Sequence, residues 1–391
     1  MYRKTYIEVN LDNIANNVKT IVRRYNDYKY YIAMIKSNAY SHGMYIVNTL
    51  IENGINYLAV SSLDEVVEVR KFNKDIGVLC TEIIDPDLID EALKNNTTLT
   101  VENLSYLESI GSRKCKVHIK LNTGMNRLGV DNKEEFNQMY KYILDHKNIT
   151  LEGIYTHFAT PGINDIYYDK QLKKFRSIIS DIDLKKIPMV HLSSSFMLLN
   201  HPRIEEETAC RIGTIIYGYD VSLDKYTSSF KDRVKMIRDN YLVHKNNISP
   251  VIRGVNINLT PALKLKTNVM SIKEVKKGDI IGYGSHVVNE NMKVAVLPIG
   301  YEDGIGTNTV GRYVLINNKK YFAVGPICMC MMFVKIDDDV KLYDEVTVLG
   351  DKITLGTLSR IKHEGIQETL VSLGQKLIRV YIKNNKKDYE C

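Results

Sequence analysis

The chain has 391 residues, 44% of them apolar and 25% charged, an ordinary globular composition with enough length to bury more than one core. Its 53 basic residues against 46 acidic ones leave a net charge of +7 spread along the chain, with no basic block longer than "NNKK", so neither nucleic acid nor a membrane surface is an expected partner. No apolar run reaches membrane-spanning length, "MYRKTYIEVNLDNIANNV" lacks the apolar core of a signal peptide, and the six cysteines form no C-x-x-C pair, so we expect a cytoplasmic protein with reduced thiols and no metal site.

After the alternating start, eight short apolar runs follow within the first 220 residues: "YYIAMI", "YLAVS", "IGVLC", "TLTV", "KVHIKL", "LEGIYTHF", "PMVHLS" and "RIGTIIYG". Between them lie segments with apolar residues recurring at three and four, among them "DNIANNVKTIVRRY", "MYIVNTLIENG", "SLDEVVEVRKF", "DPDLIDEALKN" and "NKEEFNQMYKYILDH". Repeated strand-then-helix units of this kind predict an α/β fold with a (β/α)8 TIM-type barrel. Residues 220–258 are charged and Asn-rich and read as a linker carrying an insertion. From about Thr260 the runs "LKLKTNVMSIKEV", "IIGYGSHVV", "KVAVLPIGY", "RYVLINNKKYFAVGPICMC", "MFVKI" and "EVTVLG" follow one another with turns such as "KKGD" and "NNKK", which predicts a mostly antiparallel β domain. Helices are expected near "LGTLSRIKHEG" and "LVSLGQKLIRVYI". The expected domains are a barrel over 10–232 and a β domain over 233–391 that takes up the N-terminal strand 1–9.

In barrels of this type the chemistry sits at the C-terminal ends of the strands. The polar residues there are Lys36 after the first run, "NTGMNR" (Asn122 to Arg127) after the fifth, His157 after the sixth, Ser193 to Ser195 after the seventh, and Arg211 with Gly213 in the eighth. Taken singly, each has a plain structural explanation. Lys36 ends a strand and reaches for water, His157 fits a hydrogen-bonded core histidine, Arg211 fits an ion pair with Glu206 or Glu207, and "SSS" fits a helix N-cap. Together they place an amine, two guanidiniums, an imidazole and hydroxyls at one mouth, where the turn at Gly213 offers backbone N–H groups to a phosphate.

Taken in order, "IEVNLDNIANNV", "IKSNAYSHG", "IKLNTGMNRLGV", "YTHFATP", "HLSSS", "RIGTIIYG", "PALKLKT", "GYGSHV", "LPIGYEDG", "VGPICM" and "SLGQKLIRVY" resemble the alanine racemases, enzymes that use pyridoxal 5'-phosphate (PLP), and the likeness runs nearly end to end. The resemblance implies that Lys36 is the lysine covalently attached to PLP and one of two catalytic bases, with Tyr283 the other. It implies that Tyr40, Ser195, Gly213 and Thr214 contact the phosphate, that Arg211 faces the pyridine nitrogen, and that His157 is bonded to Arg211. Arg127 would hold the substrate carboxylate, Lys120 matches a lysine that the family can carry as a carbamate, Met329 matches a backbone carboxylate contact, and Tyr301 an entrance residue. A phenol titrates at about 10 in water, so a tyrosine base needs cationic neighbours, which a hydrogen-bonded chain through His157 to Arg211 would supply.

The implied activity is interconversion of L- and D-alanine in the cytoplasm, feeding D-alanine to peptidoglycan precursors, by a head-to-tail homodimer whose sites are shared between subunits. Four departures bear on this. Pro326 and Cys330 stand in "PICMC" where the family carries an arginine and an acid, Gln367 stands for a phosphate-reaching tyrosine, Ser194 replaces an asparagine, and the segment from Arg211 to Tyr283 is longer than usual. They fall on the substrate side, so a serine or broad-specificity racemase, or a PLP-binding homologue with little turnover, are the alternatives to an alanine racemase.

Overall fold

A computed structural model of the chain describes residues 3–160, 165–220 and 257–390, with Val234, Ile237, Arg238, Tyr241 and Lys245 between them. The expected linker, and the expected domain boundary between 232 and 233, lie almost wholly outside the described residues. The chain forms two compact units, one of residues 15–37 and 44–260, the other of residues 1–14, 38–43 and 261–391.

The chain starts with strand β1 (Tyr6–Asn10), and the first unit then contains β2 (Tyr30–Met34), β3 (Tyr57–Val60), β4 (Val78–Cys80), β5 (Thr97–Val101), β6 (Cys115–Lys120), β7 (Ile149–Tyr155), β8 (Met189–His191) and β9 (Ala209–Ile212). All the pairings among β2 to β9 are parallel, in the order β8-β7-β6-β5-β4-β3-β2-β9. A bridge between Ser194 and Arg211, with Arg211 N–H donating to Ser193 O at 2.9 Å, brings the end strands together and nearly closes the barrel. Strands covered on both faces need apolar residues at consecutive positions, and β3 and β5 are buried throughout.

The helices between strands start where the sequence places a cap. Asn103 accepts a hydrogen bond from Tyr106 N–H at 2.8 Å, and Asn132 accepts one from Glu135 N–H at 2.9 Å, so helices Leu104–Ser109 and Lys133–Asp145 begin there. One expected strand is corrected: of "RIGTIIYG" only the first two residues belong to β9, and the rest turns away from Gly213 onward. That turn places the Gly213 amide at the barrel mouth.

The second unit holds β1 with β10 (Leu263–Asn268), β11 (Ser271–Val275), β12 (Met292–Leu297), β13 (Tyr313–Ile316), β14 (Lys319–Val324), β15 (Met332–Ile336), β16 (Glu345–Leu349), β17 (Ile378–Lys383) and β18 (Lys386–Glu390). They form one ten-stranded sheet, antiparallel except that β1 lies parallel to β17. Asn317 and Asn318, both at positive φ (49° and 64°), make the two-residue turn between β13 and β14 that "NN" between strand-formers favours. Two expectations differ from what forms here. "IIGYGSHVV" is not a strand: Gly282 and Gly284 take φ of 69° and 75°, and only an isolated Ile280–Val287 bridge remains. "LVSLGQKLIRVYI" splits at Gly374 (φ 52°) into the end of helix Ile366–Ser372 and strand β17, whose Ile, Val and Tyr residues suit a sheet.

Candidate active site

Ile35 N–H still donates to Ala59 O at 2.9 Å, continuing the barrel ladder, and Lys36 opens a five-residue helical turn, Lys36–Tyr40. That turn is left-handed: Ser37, Asn38, Ala39, Tyr40 and Ser41 have φ of 54°, 52°, 51°, 51° and 67°, with no glycine among them. Left-handed helix costs L-residues roughly 1–2 kcal/mol each, so the segment needs strong anchors. In the barrel unit the Glu65 carboxylate accepts from Ser37 N–H and from both the N–H and hydroxyl of Ser61.

In the second unit Gly43 N–H donates to Asn38 O at 2.9 Å, Arg379 Nε to Ser41 O at 3.2 Å, and Tyr381 OH to His42 O at 3.0 Å. His42 Nδ1 sits 3.1 Å from Ala39 O and 2.9 Å from Tyr40 O, two acceptors, so this nitrogen carries the proton. Burial pushes the His42 imidazole down to about 4 despite those carbonyls. Gly43 (φ 85°) admits no side chain, because a Cβ there would lie 2.0 Å from the Tyr381 hydroxyl oxygen.

The guanidinium of Arg211, 5% exposed, is held on every side but one. Its Nη1 donates to His191 Nδ1 (2.8 Å) and His191 O, and its Nη2 to Thr156 O (2.7 Å), Leu192 O (2.9 Å) and His157 Nδ1 (3.3 Å). Its Nε–H has no acceptor among the described residues. Burial lowers its pKa to about 10, so it remains a cation at neutral pH. His157 is held well below the usual imidazole range by burial, then by Arg211, Lys120, Arg127 and Lys36, so it is neutral and its Nδ1 accepts from Arg211. Lys120, 6% exposed, is pulled well below the lysine range by burial and by Arg211 and Arg127, and its Nζ lies 4.5 Å from the centre of the Tyr155 ring.

No acid is among the groups acting on His157 or Lys120. Around His157 and Lys120 the barrel mouth is therefore a cationic site, as expected of a place for a phosphate and a carboxylate. Arg127 stands exposed on a loop fixed by Asn122, whose side chain bonds Asn126 and Asp131 and whose N–H donates to Val130 O at 2.8 Å. Ser195 and Thr214 are buried, and Gly213 N–H donates to Ser195 Oγ at 2.8 Å, which leaves the hydroxyl hydrogen of Ser195 to point elsewhere. Lys36 Nζ makes no hydrogen bond or ion pair with a described residue. An aromatic cofactor with a phosphate at one end and a ring nitrogen at the other fits this set: the spare Nε–H of Arg211 for the nitrogen, the Ser195 hydroxyl with the Gly213–Thr214 turn for the phosphate, and an unpaired amine to attach it.

The remaining expected residues belong to the second unit. Tyr40 lies in the left-handed turn. Tyr283 is 75% exposed on the loop between its two left-handed glycines and lines a pocket of about 500 Å3 with Ser285, His286, Asn308 and Pro326. Tyr301 N–H donates to Cys328 O and Glu302 N–H to Met329 O, both at 3.1 Å, an approach that Gly300 permits because a Cβ there would lie 2.2 Å from Met329 O. Met329 is thus fixed through its carbonyl while its N–H has no acceptor among the described residues. Cys330 donates its thiol to Glu302 Oε1 at 3.2 Å, and Glu302 raises the thiol's titration. Gln367 is exposed on helix Ile366–Ser372.

The structure thus brings Lys36, Lys120, Arg127, His157, Ser195, Arg211, Gly213 and Thr214 together in the barrel unit, and Tyr301 with Met329 in the other. It adds residues the sequence did not single out: Glu65, which grips the turn after Lys36, and His191, which binds Arg211. The only trace of His191 in the sequence is a histidine inside the apolar run "PMVHLS".

Known proteins share this architecture. Residues 9–221 match the alanine racemase N-terminal domain family and residues 262–381 the alanine racemase C-terminal domain family. The alanine racemase of Clostridium novyi (strain NT) is 31% identical over 98% of this chain and 97% of its own length, and that of Methanococcus maripaludis is 34% identical over 88% of each. Among solved structures, alanine racemase of Clostridium difficile 630 superimposes with a TM-score of 0.85 at 29% identity, covering 100% of this chain and 99% of its own. Alanine racemase of Bacillus anthracis with bound L-Ala-P gives 0.85 at 28% identity, covering 100% and 98%.

Proposed function

The chain belongs to the alanine racemase family and is an isomerase, and we propose that it interconverts L- and D-alanine with Lys36 and Tyr283 as bases on opposite faces of the α-carbon. Racemisation must remove a proton from one face and return one on the other, which two groups on opposite sides accomplish. PLP, when bound, supplies the electron sink that makes the α-proton acidic.

The observation that carries the reading is Arg211, fixed by its Nη atoms and by Thr156, Leu192, His157 and His191, with only Nε–H to spare. A guanidinium can donate but not accept, so it holds a ring nitrogen in its unprotonated form. That restrains the sink and disfavours decarboxylation and transamination relative to proton transfer. Neutral His157, bonded to Arg211 on one side, would pass the effect of that cation to Tyr283. Arg127 and the Met329 N–H would hold the substrate carboxylate, Tyr301 would stand at the entrance, and Tyr40, Ser195, Gly213, Thr214 and Gln367 would serve the phosphate.

Lys120 is proposed to be carbamylated. A deprotonated amine adds to CO2 and releases one proton, which would turn a buried neutral amine into an anion beside Arg127 and Arg211. We also propose a homodimer in which Tyr283 and Met329 complete the partner's barrel mouth, in keeping with the exposure of both, 75% and 52%. No helix among the described residues is long and apolar enough to cross a membrane. A cytoplasmic enzyme supplying D-alanine for peptidoglycan precursors is the setting proposed.

A second reading within the class rests on Cys330 and Pro326. A thiol tied to Glu302 in place of the family's carboxylate gives room for serine or a wider range of side chains. The test is racemisation of a panel of L-amino acids by the purified protein supplied with PLP, with Lys36→Ala beside it. We expect alanine to turn over fastest, and borohydride to bleach the wild type's visible absorbance, a band absent from Lys36→Ala. Faster turnover of serine would favour the second reading, and colour without turnover of any amino acid would contradict both.

A further inference from the structure

Behind Arg211 a line of buried polar side chains crosses the barrel interior. Arg211 Nη1 donates to His191 Nδ1 at 2.8 Å, His191 Nε2 lies 2.9 Å from His118 Nδ1, and His118 Nε2, which makes no hydrogen bond with a described residue, faces Glu152 Oε2 at 3.5 Å. Both imidazoles are 0% exposed and Glu152 is 8% exposed. Room for the line is built into the strands. Gly153, paired with His118 across β6 and β7, could not carry a Cβ, which would lie 2.6 Å from the His118 ring. Tyr155 stacks on His191 at 4.8 Å with its plane 4° away. At the far end the Glu152 carboxylate accepts from Lys116 Nζ at 2.7 Å, from Thr98 Oγ1 at 3.2 Å and from Tyr57 OH.

The two ends dictate where every proton sits. A guanidinium only donates, so His191 Nδ1 is a lone pair and its proton is on Nε2. His118 Nδ1 must then accept, which puts its proton on Nε2, facing the carboxylate. Burial keeps both rings neutral, and the neighbouring His118, Lys116 and Tyr57 side chains overcome burial to hold the Glu152 carboxyl down at about 2. The carboxylate that acts directly on Arg211, Glu207, is taken up by Ser193, Leu192 and Tyr28.

We propose that Glu152, His118 and His191 form a one-way relay, an ion-pair approach followed by two hydrogen bonds, that orients Arg211 and carries the influence of a distant counter-ion to it. All three are positioning residues, and their effect on turnover rests on the reading that Arg211 faces the pyridine nitrogen of PLP. Losing the carboxylate frees His118 to move its proton to Nδ1, which reverses the next link and turns a donor toward Arg211.

The test uses full-length protein labelled with 15N-histidine, assigned through single His→Gln variants, with and without PLP. In the wild type near neutral pH, both His118 and His191 are expected as neutral imidazoles protonated on Nε2. In Glu152→Gln, a share of His118 is expected protonated on Nδ1, and the PLP-loaded variant should lose about tenfold in kcat, the scale on which lost outer partners of a working group act, with KM for alanine within about twofold. A charged imidazole or an Nδ1-protonated His191 in the wild type overturns the relay, even if the variant does not fold. Altered tautomers with unchanged kcat, or unaltered tautomers in Glu152→Gln, overturn the positioning role. If the protein racemises nothing, the tautomers in PLP-free protein still decide on the relay, so the two readings fail separately.

Discussion

Lys120 is a lysine placed where an ammonium is disfavoured: buried, over an aromatic ring, with two guanidiniums acting on it and no acid to offset them. A neutral amine in that position has little structural value and good reactivity toward CO2. Lys120→Ala should therefore lower kcat/KM for alanine by about tenfold or more, the anion that steadies Arg127 being lost, and added acetate should restore part of it. Steady-state assays with and without acetate decide this; unchanged kcat/KM would remove the carbamate from the account. At this scale the sequence was legible for polar residues near strand ends, since Lys36 and His157 interrupt an apolar run near its close and Arg211 opens the run "RIGTIIYG". It was illegible for His118, Glu152 and His191, because one polar residue within a strand carries no periodic signal and the partners along the line are 20, 34 and 73 positions apart in the chain.

The element with the strongest departure from local preference is the turn after β2. Sequence rules look for glycine or asparagine at left-handed positions, and "KSNAYSHG" offers a serine, an alanine and a tyrosine there, so the conformation could not be read in advance. It exists because Glu65, Arg379 and Tyr381 anchor it. Ser37 is exposed and contributes its backbone N–H, so a substitution there isolates the conformational cost. Ser37→Val should destabilise the protein by about 1–2 kcal/mol and Ser37→Gly should stabilise it by up to about 1 kcal/mol, read from thermal or denaturant midpoints. Equal midpoints would mean that the turn is not left-handed in solution. In the misjudged elements the apolar pattern runs past a glycine: Gly282 and Gly284 in "IIGYGSHVV" and Gly374 in "LVSLGQKLIRVYI" take positive φ that periodicity alone does not see, while "RIGTIIYG" leaves its strand at Gly213 without one.

Across the whole molecule, buried neutral imidazoles set the response to acid. His42 and His201 are pushed down to about 4 by burial, and His118, His157 and His191 are also lowered. A histidine with a folded value below its unfolded value of about 6.5 contributes stability that is full above 6.5 and lost as pH falls toward 4, because only the unfolded chain takes up the proton in that interval. Each of His42 and His201 contributes about 3 kcal/mol by this route. The thermal midpoint should be flat above pH 7 and fall steeply between 6.5 and 4; a midpoint constant over that interval would contradict the neutral imidazoles. The alternation of eight apolar runs with helical segments made the barrel legible, and the hairpin signals made the β sheet legible. How two copies combine left no pattern in a single sequence beyond the family resemblance.

The central claim is that Lys36 and Tyr283 are two bases of one reaction, supplied by different chains. Lys36→Ala and Tyr283→Phe protein, each inactive alone, should be refolded together with PLP and assayed for alanine racemisation. Random pairing predicts about a quarter of the wild-type rate per subunit, since half the dimers are mixed and each mixed dimer has one intact site of two. No activity above that of either variant alone, with mixed dimers shown to be present, would contradict it.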